Sequence, residues 1–221
     1  MAGPCFRTDA SRSGRIGLLV LALAGAAARP AEAQTAGFPP PAVRGNVDAV
    51  LEVVVFSDFQ CPFCALAVPV LDSLFARHGD EVRLVYRHYP LPIHEHARRA
   101  AEAAVEAGRQ DAFWEYHDLL FANQDRQTPA DLVEYADSLD LEVEAFAEAL
   151  GSGAHAAAVE ADVALGMALA VTGTPTFFIG GYRVVGVPPL WVFEEALEAF
   201  REGRVRPRPL EPLRGKRGKT D

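Results

Sequence analysis

The fold is decided by the stretch Phe56-Ser57-Asp58-Phe59-Gln60-Cys61-Pro62-Phe63-Cys64, where an apolar, strand-like run ends and a helical pattern begins. A cysteine at the first turn of a helix faces unpaired backbone N–H groups and the positive end of the helix dipole, so its pKa falls. Cys61 has this position, and Pro62 suits the first helical residue because its fixed φ is already helical. The stretch therefore predicts a reactive dithiol, with Cys61 as the attacking thiol and Cys64 as the resolving thiol.

Two structural roles for this pair are less favourable. A disulfide stabilises mainly by closing a long loop, and a loop with two intervening residues restricts the unfolded chain very little. A zinc site would need a second pair of ligands at similar spacing, and the sequence has no second Cys-x-x-Cys. We therefore expect no metal, although a carrier of a soft metal on the two thiols stays open as an alternative.

The beginning of the chain has the pattern of an export signal. Three arginines precede an apolar run over residues 16–28, and the small-x-small motif Ala31-Glu32-Ala33 follows it. This pattern predicts a signal peptide over residues 1–33, cleaved before Gln34, and a periplasmic or other extracytoplasmic location. The run is shorter than the roughly 20 residues of a membrane helix, so an uncleaved N-terminal anchor is the second interpretation.

Cysteine content and charge limit the possible functions further. Cleavage would remove Cys5 and leave Cys61 and Cys64 as the only cysteines, as expected for a dithiol catalyst in an oxidising compartment. The net charge of −9 disfavours nucleic acid as a partner. No phosphate-binding loop or dinucleotide fingerprint is present, so we expect no nucleotide cofactor.

Hydrophobic periodicity divides the rest of the chain into strands and helices. A linker is predicted over residues 34–44 and a disordered basic tail over residues 204–221. Between them the pattern predicts, in order, strand 49–56, a helix that starts at the Cys pair and ends near Gly79, strand 82–88, helices 94–107, 111–122, 129–139, 142–150 and 154–170, a hairpin of strands 176–179 and 182–185, and helix 190–201.

This order resembles the thioredoxin fold and, more narrowly, the DsbA-like exported thiol-disulfide oxidoreductases. The most specific pieces are the stretch 56–64, the aromatic helix 113–121, and Val171-Thr172-Gly173-Thr174-Pro175-Thr176-Phe177-Phe178. The resemblance implies an α/β, thioredoxin-like fold with an inserted α-helical subdomain. Its thioredoxin-like parts would cover residues 45–93 and 171–203, and the insertion residues 94–170.

The resemblance also implies which residues and which partner proteins contact the Cys pair. It implies a cis peptide bond before Pro175, which would expose the backbone of Thr174 for pairing with a substrate segment. Pro62 and Phe63 would supply apolar contact at the same surface. The expected partners are protein thiols and disulfides, together with a membrane-bound protein that recycles the dithiol.

One position departs from the family pattern. Relatives usually carry a carboxylate six residues before the first cysteine, under the active site, where it can take the proton of the buried thiol; here this residue is Val55. Glu52 has an odd offset on the strand and is expected on the opposite face. Water or Asp58 would substitute, or Cys64 would lose its proton more slowly. The three histidines His88, His94 and His96 are expected to be solvated loop residues.

The function that these observations predict is thiol-disulfide exchange through Cys61 and Cys64, first of all as an oxidase of protein thiols. A reductase or isomerase of the same fold is the first alternative. A non-catalytic chaperone or binding module on a thioredoxin scaffold is the second.

Overall fold

Five strands form one mixed sheet in the computed structural model, which describes residues 40–210. The strands are β1 (Val43–Gly45), β2 (Leu51–Ser57), β3 (Val82–His88), β4 (Thr176–Ile179) and β5 (Tyr182–Val185). Their spatial order is β1-β3-β2-β4-β5, in which β2 and β3 are parallel and the other neighbours are antiparallel. The central strand β2 is buried along nearly its whole length, which explains its continuous apolar sequence.

Helices cover the sheet and fill the long connection between β3 and β4. They are α1 (Pro62–His78), α2 (Ala97–Arg109), α3 (Phe113–Ala122), α4 (Pro129–Ser138), α5 (Val143–Ser152), α6 (Ala156–Ala168) and α7 (Leu190–Arg201). The five helices predicted between the second strand and the hairpin are thus confirmed within a few residues. The α/β, thioredoxin-like architecture with a helical insertion is also confirmed.

Local sequence signals explain several of these boundaries. At α4, the Thr128 side chain accepts a hydrogen bond from the backbone N–H of Asp131, and Asp131 reciprocates, which is a capping box. At α1, Pro62 stands at the first helical position and Pro69 lies inside the helix, which continues to His78. Capping chemistry and proline placement therefore set the helix starts as expected.

The alternation of β2 divides the core into two layers. Leu51, Val53 and Val55 belong to the larger cluster, which α1, α7 and the helical insertion share. Val54 and Phe56 belong to a smaller cluster on the other face of the sheet, with Leu169, Val171 and Phe178. The larger cluster is the one on which α1, and therefore the Cys pair, is packed.

Some expectations differ from the structure. Residues 43–45, which span the end of the predicted linker and the first residue of the predicted domain, form the edge strand β1, because the neighbouring strand β3 offers them a pairing partner that no local pattern reveals. The predicted tail is ordered against the hairpin at its start, where the Arg208 N–H donates to the Gly180 carbonyl at 3.0 Å. Helical periodicity over the predicted helix 190–201 assigns Trp191 to the apolar face with Phe193 and Leu197, but Trp191 is 60% exposed in the structure.

The predicted signal peptide and residues 211–221 lie outside the described residues. Among the helices of residues 40–210, none is both long enough and apolar enough to cross a membrane.

Candidate functional site

Cys61 is the residue that precedes the first turn of α1, as the sequence predicts. Its backbone is extended, its N–H donates to the Asp58 carbonyl at 3.1 Å, and its own carbonyl accepts from the N–H of Cys64 at 3.0 Å. Both cysteines are free thiols, with exposed fractions of 4% for Cys61 and 2% for Cys64. The two sulfurs therefore lie at the N-terminus of a 17-residue helix.

The two thiols differ in acidity. A hydrogen bond from the Cys64 thiol, together with Thr174 and the backbone N–H groups of the helix start, lowers the pKa of Cys61 to about 5 against the opposing effect of burial. Burial raises the pKa of Cys64 well above its usual range. Cys61 is therefore a thiolate at neutral pH and Cys64 a thiol, which is the division of roles predicted for them.

The segment at Thr174 and Pro175 lies against Cys61, although 113 residues separate them in sequence. The Cys61 Sγ lies 3.3 Å from the Thr174 carbonyl oxygen, which accepts a hydrogen bond from the thiol when Cys61 is protonated. The peptide bond between Thr174 and Pro175 is cis, so this prediction is confirmed. The Thr176 hydroxyl donates to the Gly173 carbonyl at 2.7 Å and holds the turn that leads into β4.

Apolar side chains surround this end of α1. Phe63 is 59% exposed and Leu66 is 60% exposed, while Pro62 occupies the first helical position between them and Cys61. In the loop after β3, Ile93 is also exposed. Exposed apolar side chains of this size next to a reactive sulfur offer a contact surface for another chain.

Asp58 anchors the turn that carries Cys61. One of its carboxylate oxygens accepts from the Gln60 N–H at 2.8 Å, and the other accepts from the Leu91 N–H and lies 2.7 Å from His94 Nδ1. The side chain is fully buried. Because one oxygen is engaged by the active-site turn and the other by the loop after β3, Asp58 joins two loops rather than offering a free base to Cys64.

The expectation that His88, His94 and His96 are solvated loop residues is corrected in part. His88 is buried at the end of β3, and its burial lowers the pKa to about 4. His94 makes the contact with Asp58 just described, at 2.7 Å from Nδ1 to the carboxylate. Only His96 contributes nothing through its ring, since its contact is a backbone N–H that donates to Gln60 Oε1 at 2.6 Å. Tertiary packing buries His88 and partly buries His94, and no local sequence pattern predicts this.

The position of the missing carboxylate is closed by apolar and aromatic side chains. Val55 is buried, and its cross-strand partners are Tyr86 on β3 and Phe177 on β4. Glu52 is exposed and pairs with Arg83 at 2.9 Å, so the expectation that it points away is confirmed. Within the described residues, no acidic side chain of β2 lies on the same face as Val55.

Buried polar side chains lie on the same face, beneath Cys64: Ser57, Tyr86 and His88, which we call the thiol floor. Ser57 follows Val55 by two residues and pairs with His88 across the strands, as Val55 pairs with Tyr86. The aromatic helix α3 covers this floor, with His117 and Phe113 both against the Tyr86 ring. The aromatic residues of α3 therefore belong to the core or pack against it, as their helical spacing predicts.

Two glutamines that the sequence did not single out hold the active-site turn from the helical insertion. Gln124 Nε2 donates to the carbonyls of Phe59 at 2.8 Å and Cys61 at 3.0 Å. Gln127, which is fully buried, donates to Phe59 and to Leu120. Their position just after α3 carries no pattern of its own, so only the structure identifies them.

Metal ligation finds no support in the geometry of the described chain. Between residues 40 and 210, no group of three or more His, Cys, Asp or Glu side chains is placed to hold one ion.

Comparison with curated proteins finds relatives that are much longer than this chain. "Na(+)/H(+) antiporter NhaA 3" of Salinispora tropica is 43% identical over 167 residues, which cover 75% of this chain and 26% of that protein. The chain thus spans about a quarter of the length of the curated relatives it matches.

The chain also matches solved structures, and it does so over nearly the whole length of those structures. Oxidised BdbD from Bacillus subtilis is 26% identical, with a TM-score of 0.65 over 75% of this chain and 98% of that one. A thioredoxin-like oxidoreductase from Silicibacter pomeroyi is 27% identical, with a TM-score of 0.67 over 74% and 94%. Residues 52–198 match the family described as the DSBA-like thioredoxin domain, so the chain belongs to that family of thiol-disulfide oxidoreductases.

Proposed function

We propose that this chain is an exported thiol-disulfide oxidoreductase that exchanges disulfides with protein substrates through Cys61 and Cys64. The observation that carries the proposal is the contrast in acidity between the two thiols. In the reduced protein the Cys61 thiolate, with a pKa of about 5, attacks a substrate disulfide and the buried Cys64 thiol resolves the mixed disulfide; in the oxidised protein a substrate thiolate attacks the Cys61 sulfur of the Cys61–Cys64 disulfide.

The direction that we propose is oxidation of substrate thiols. A low pKa at Cys61 stabilises the reduced enzyme relative to its disulfide, which makes the disulfide a stronger oxidant. In this direction a substrate thiolate attacks the Cys61 sulfur, the Cys61–Cys64 bond breaks, and a second substrate thiol then displaces Cys61. Reductase or isomerase activity of the same site is the alternative.

Substrate binding in this proposal uses the surface around Cys61. The Thr174 backbone beside the cis Pro175 would pair with an extended substrate segment, and Pro62 and Phe63 would contact its apolar side chains. A membrane-bound redox partner would reoxidise the dithiol. The ion transport named for the antiporter relatives belongs to those proteins, of whose length this chain matches 26%.

The test is oxidation of a reduced peptide with two cysteines by the disulfide form of the protein. We expect stoichiometric transfer of the disulfide, and loss of transfer in Cys61→Ser. Equilibration with glutathione buffers gives the direction: a potential near −120 mV supports an oxidase, and one near −270 mV supports a reductase. Full function of Cys61→Ser would instead support the chaperone or binding module.

Cys61 alkylation gives a second readout. Because its pKa is about 5, the rate of alkylation of reduced protein should be half-maximal near pH 5 and fall about tenfold per pH unit below it. A half-maximum near 8.5, the ordinary thiol value, would contradict the proposed role of Cys61.

A further inference from the structure

We propose that Ser57, supported by Tyr86, replaces the missing carboxylate by donating hydrogen bonds to the Cys64 sulfur whenever that sulfur carries negative charge. The inference rests on the proposed thiol-disulfide exchange and adds a catalytic residue, Ser57, and a positioning residue, Tyr86. In this proposal two hydroxyl donors take the place of the carboxylate base that relatives carry at the position of Val55.

The geometry brings three groups together beneath α1. Ser57 is buried and follows Val55 by two residues, so it lies on the face of β2 against which α1 packs, and its hydroxyl lowers the pKa of both the Cys64 thiol and the Tyr86 phenol against the larger effect of burial. Tyr86 is the cross-strand partner of Val55, so its ring starts beside the position where relatives carry the carboxylate. The three side chains therefore form a short chain from the buried thiol to the centre of the sheet.

The Tyr86 hydroxyl has a further property that points to this role. It is buried and makes no hydrogen bond of normal geometry within residues 40–210. An unpaired buried hydroxyl costs about 1–3 kcal/mol, so such groups are rare unless they serve a function. A donor left open next to a sulfur that becomes charged during catalysis is one such function.

Neighbouring groups favour donation over proton removal. Burial raises the pKa of Tyr86 well above its usual range, so the phenol stays protonated and remains a donor. Burial also lowers the pKa of His88 to about 4 and lowers that of His117, so both rings are neutral at pH 7. The charged groups that face this site are the Asp58 carboxylate, the Asp162 carboxylate with its ion-pair partner Arg87, and the Cys61 thiolate. Besides Ser57, the Asp58 backbone N–H also lowers the pKa of Cys64.

The chemical step is the same in both directions. In resolution, Cys64 loses its proton to water, its sulfur attacks the Cys61 sulfur, the Cys61–substrate S–S bond breaks, and the departing substrate thiolate takes up a proton. In substrate oxidation, Cys64 leaves as the thiolate when the Cys61–Cys64 bond breaks. In each case Ser57 donates to the charged Cys64 sulfur, and Tyr86 donates to the Ser57 oxygen.

The experiment separates the two thiols in time. Reduced full-length protein is mixed in a stopped-flow instrument with an excess of an aromatic disulfide whose released thiolate is coloured. The first phase is attack by Cys61, and the second phase is attack by Cys64 on the mixed disulfide. The two rates are measured from pH 5 to pH 9 for the wild type, Ser57→Ala and Tyr86→Phe.

We expect a slower second phase in both variants, by about fivefold or more, as the loss of one hydrogen bond of about 1 kcal/mol predicts. The first phase should stay within twofold, and the pH at which the second phase accelerates should move upward. Tyr116→Phe is the matched control, because its hydroxyl donates to the Leu132 carbonyl in the helical insertion; its second phase should equal that of the wild type.

The outcomes are distinguishable. Second phases within twofold of the wild type in both variants would overturn the role of the hydroxyls, while a normal first phase would leave the proposed function intact. Absence of the first phase in the wild type would overturn the proposed function itself. Since Tyr86→Phe removes no hydrogen bond of normal geometry, a loss of folding cannot explain its slower second phase.

Discussion

The thiol floor and the helical insertion both bury polar side chains, but they pair them differently. In the insertion, the buried His155 ring lies 2.5 Å from Glu106, and the buried Glu102 pairs with Arg99 at 2.7 Å. In the floor, the Tyr86 hydroxyl and the His88 Nδ1 atom have no hydrogen-bond partner among the described residues. The insertion thus pairs these buried ionisable side chains, although the Gln127 Oε1 atom in it has no partner within residues 40–210, whereas two ring or hydroxyl groups of the floor beneath the resolving thiol stay unpaired there.

This difference has a physical consequence. A paired buried charge contributes to the uniqueness of the fold, and removing one partner is costly because the other is left uncompensated. An unpaired hydroxyl already bears its desolvation cost, so removing it costs the fold little. Substitutions in the helical insertion should therefore mainly lower the free energy of unfolding. Substitutions in the thiol floor should mainly change the rate of attack by Cys64.

The largest effect is expected in the helical insertion. Glu106→Ala leaves His155 buried without its partner and should lower the free energy of unfolding by roughly 3–5 kcal/mol, with no change in the Cys64 attack rate below the melting transition. Chemical denaturation of reduced protein measures it. Replacing both partners with apolar residues, Glu106→Leu with His155→Phe, should recover most of the loss. A single-variant loss below 1 kcal/mol would erase the contrast between the regions.

The next effect is a pH dependence that originates in the floor. His88 has a folded pKa of about 4 and an unfolded value of about 6.5, so below pH 6.5 the unfolded chain binds a proton that the folded chain does not. Stability should therefore fall with pH between about 6.5 and 4, with His88 contributing at most about 3 kcal/mol of the loss. His88→Phe should flatten this acid limb in denaturation curves, and an unchanged limb would contradict the assignment.

A third prediction places a carboxylate back into the floor. Val55→Glu should lower the free energy of unfolding by about 2 kcal/mol, because a buried polar group is only partly compensated by the neighbouring Tyr86 hydroxyl. It should also speed the attack by Cys64 near neutral pH, since a base now stands beside the thiol. Stopped-flow rates with the aromatic disulfide measure this, and an unchanged rate would show that proton removal from Cys64 does not limit the step.

The smallest effect distinguishes two tyrosines. Tyr116 donates to the Leu132 carbonyl at 2.7 Å, so Tyr116→Phe should cost about 1 kcal/mol of stability. Tyr86→Phe removes a hydroxyl without a partner and should change stability by less than about 0.5 kcal/mol, or raise it. Thermal melts of the two reduced variants, run in parallel, give the comparison; equal losses would mean that the Tyr86 hydroxyl is paired in solution.

Much of the site was predictable because its signals are local. Strand β3, the hairpin strands and α7 have the predicted boundaries, since hydrophobic period and turn residues are properties of short segments. The N-terminal position of Cys61 on α1 follows in the same way from Pro62 and the apolar strand before it. The cis bond at Pro175 required the resemblance to a family.

The supporting residues were not predictable for the opposite reason. Gln124 and Gln127 reach the active-site turn from a loop more than 60 residues away, and each contact depends on the packing of α3 on the sheet. His94 follows a strand in a polar loop, where solvation is the ordinary expectation. Its contact with the Asp58 carboxylate exists because the active-site turn and the loop after β3 meet.

The amino-acid sequence by itself determined the order of elements, the Cys-x-x-Cys at a helix start and the absence of an acid at position 55, because each is a matter of residue type and short-range spacing. The tertiary structure alone decided which groups meet the two sulfurs. Strand register sets Tyr86 beside Val55, and the cis-proline turn brings Thr174 to Cys61 across 113 residues. Such contacts depend on how strands align and helices pack, which no local pattern encodes.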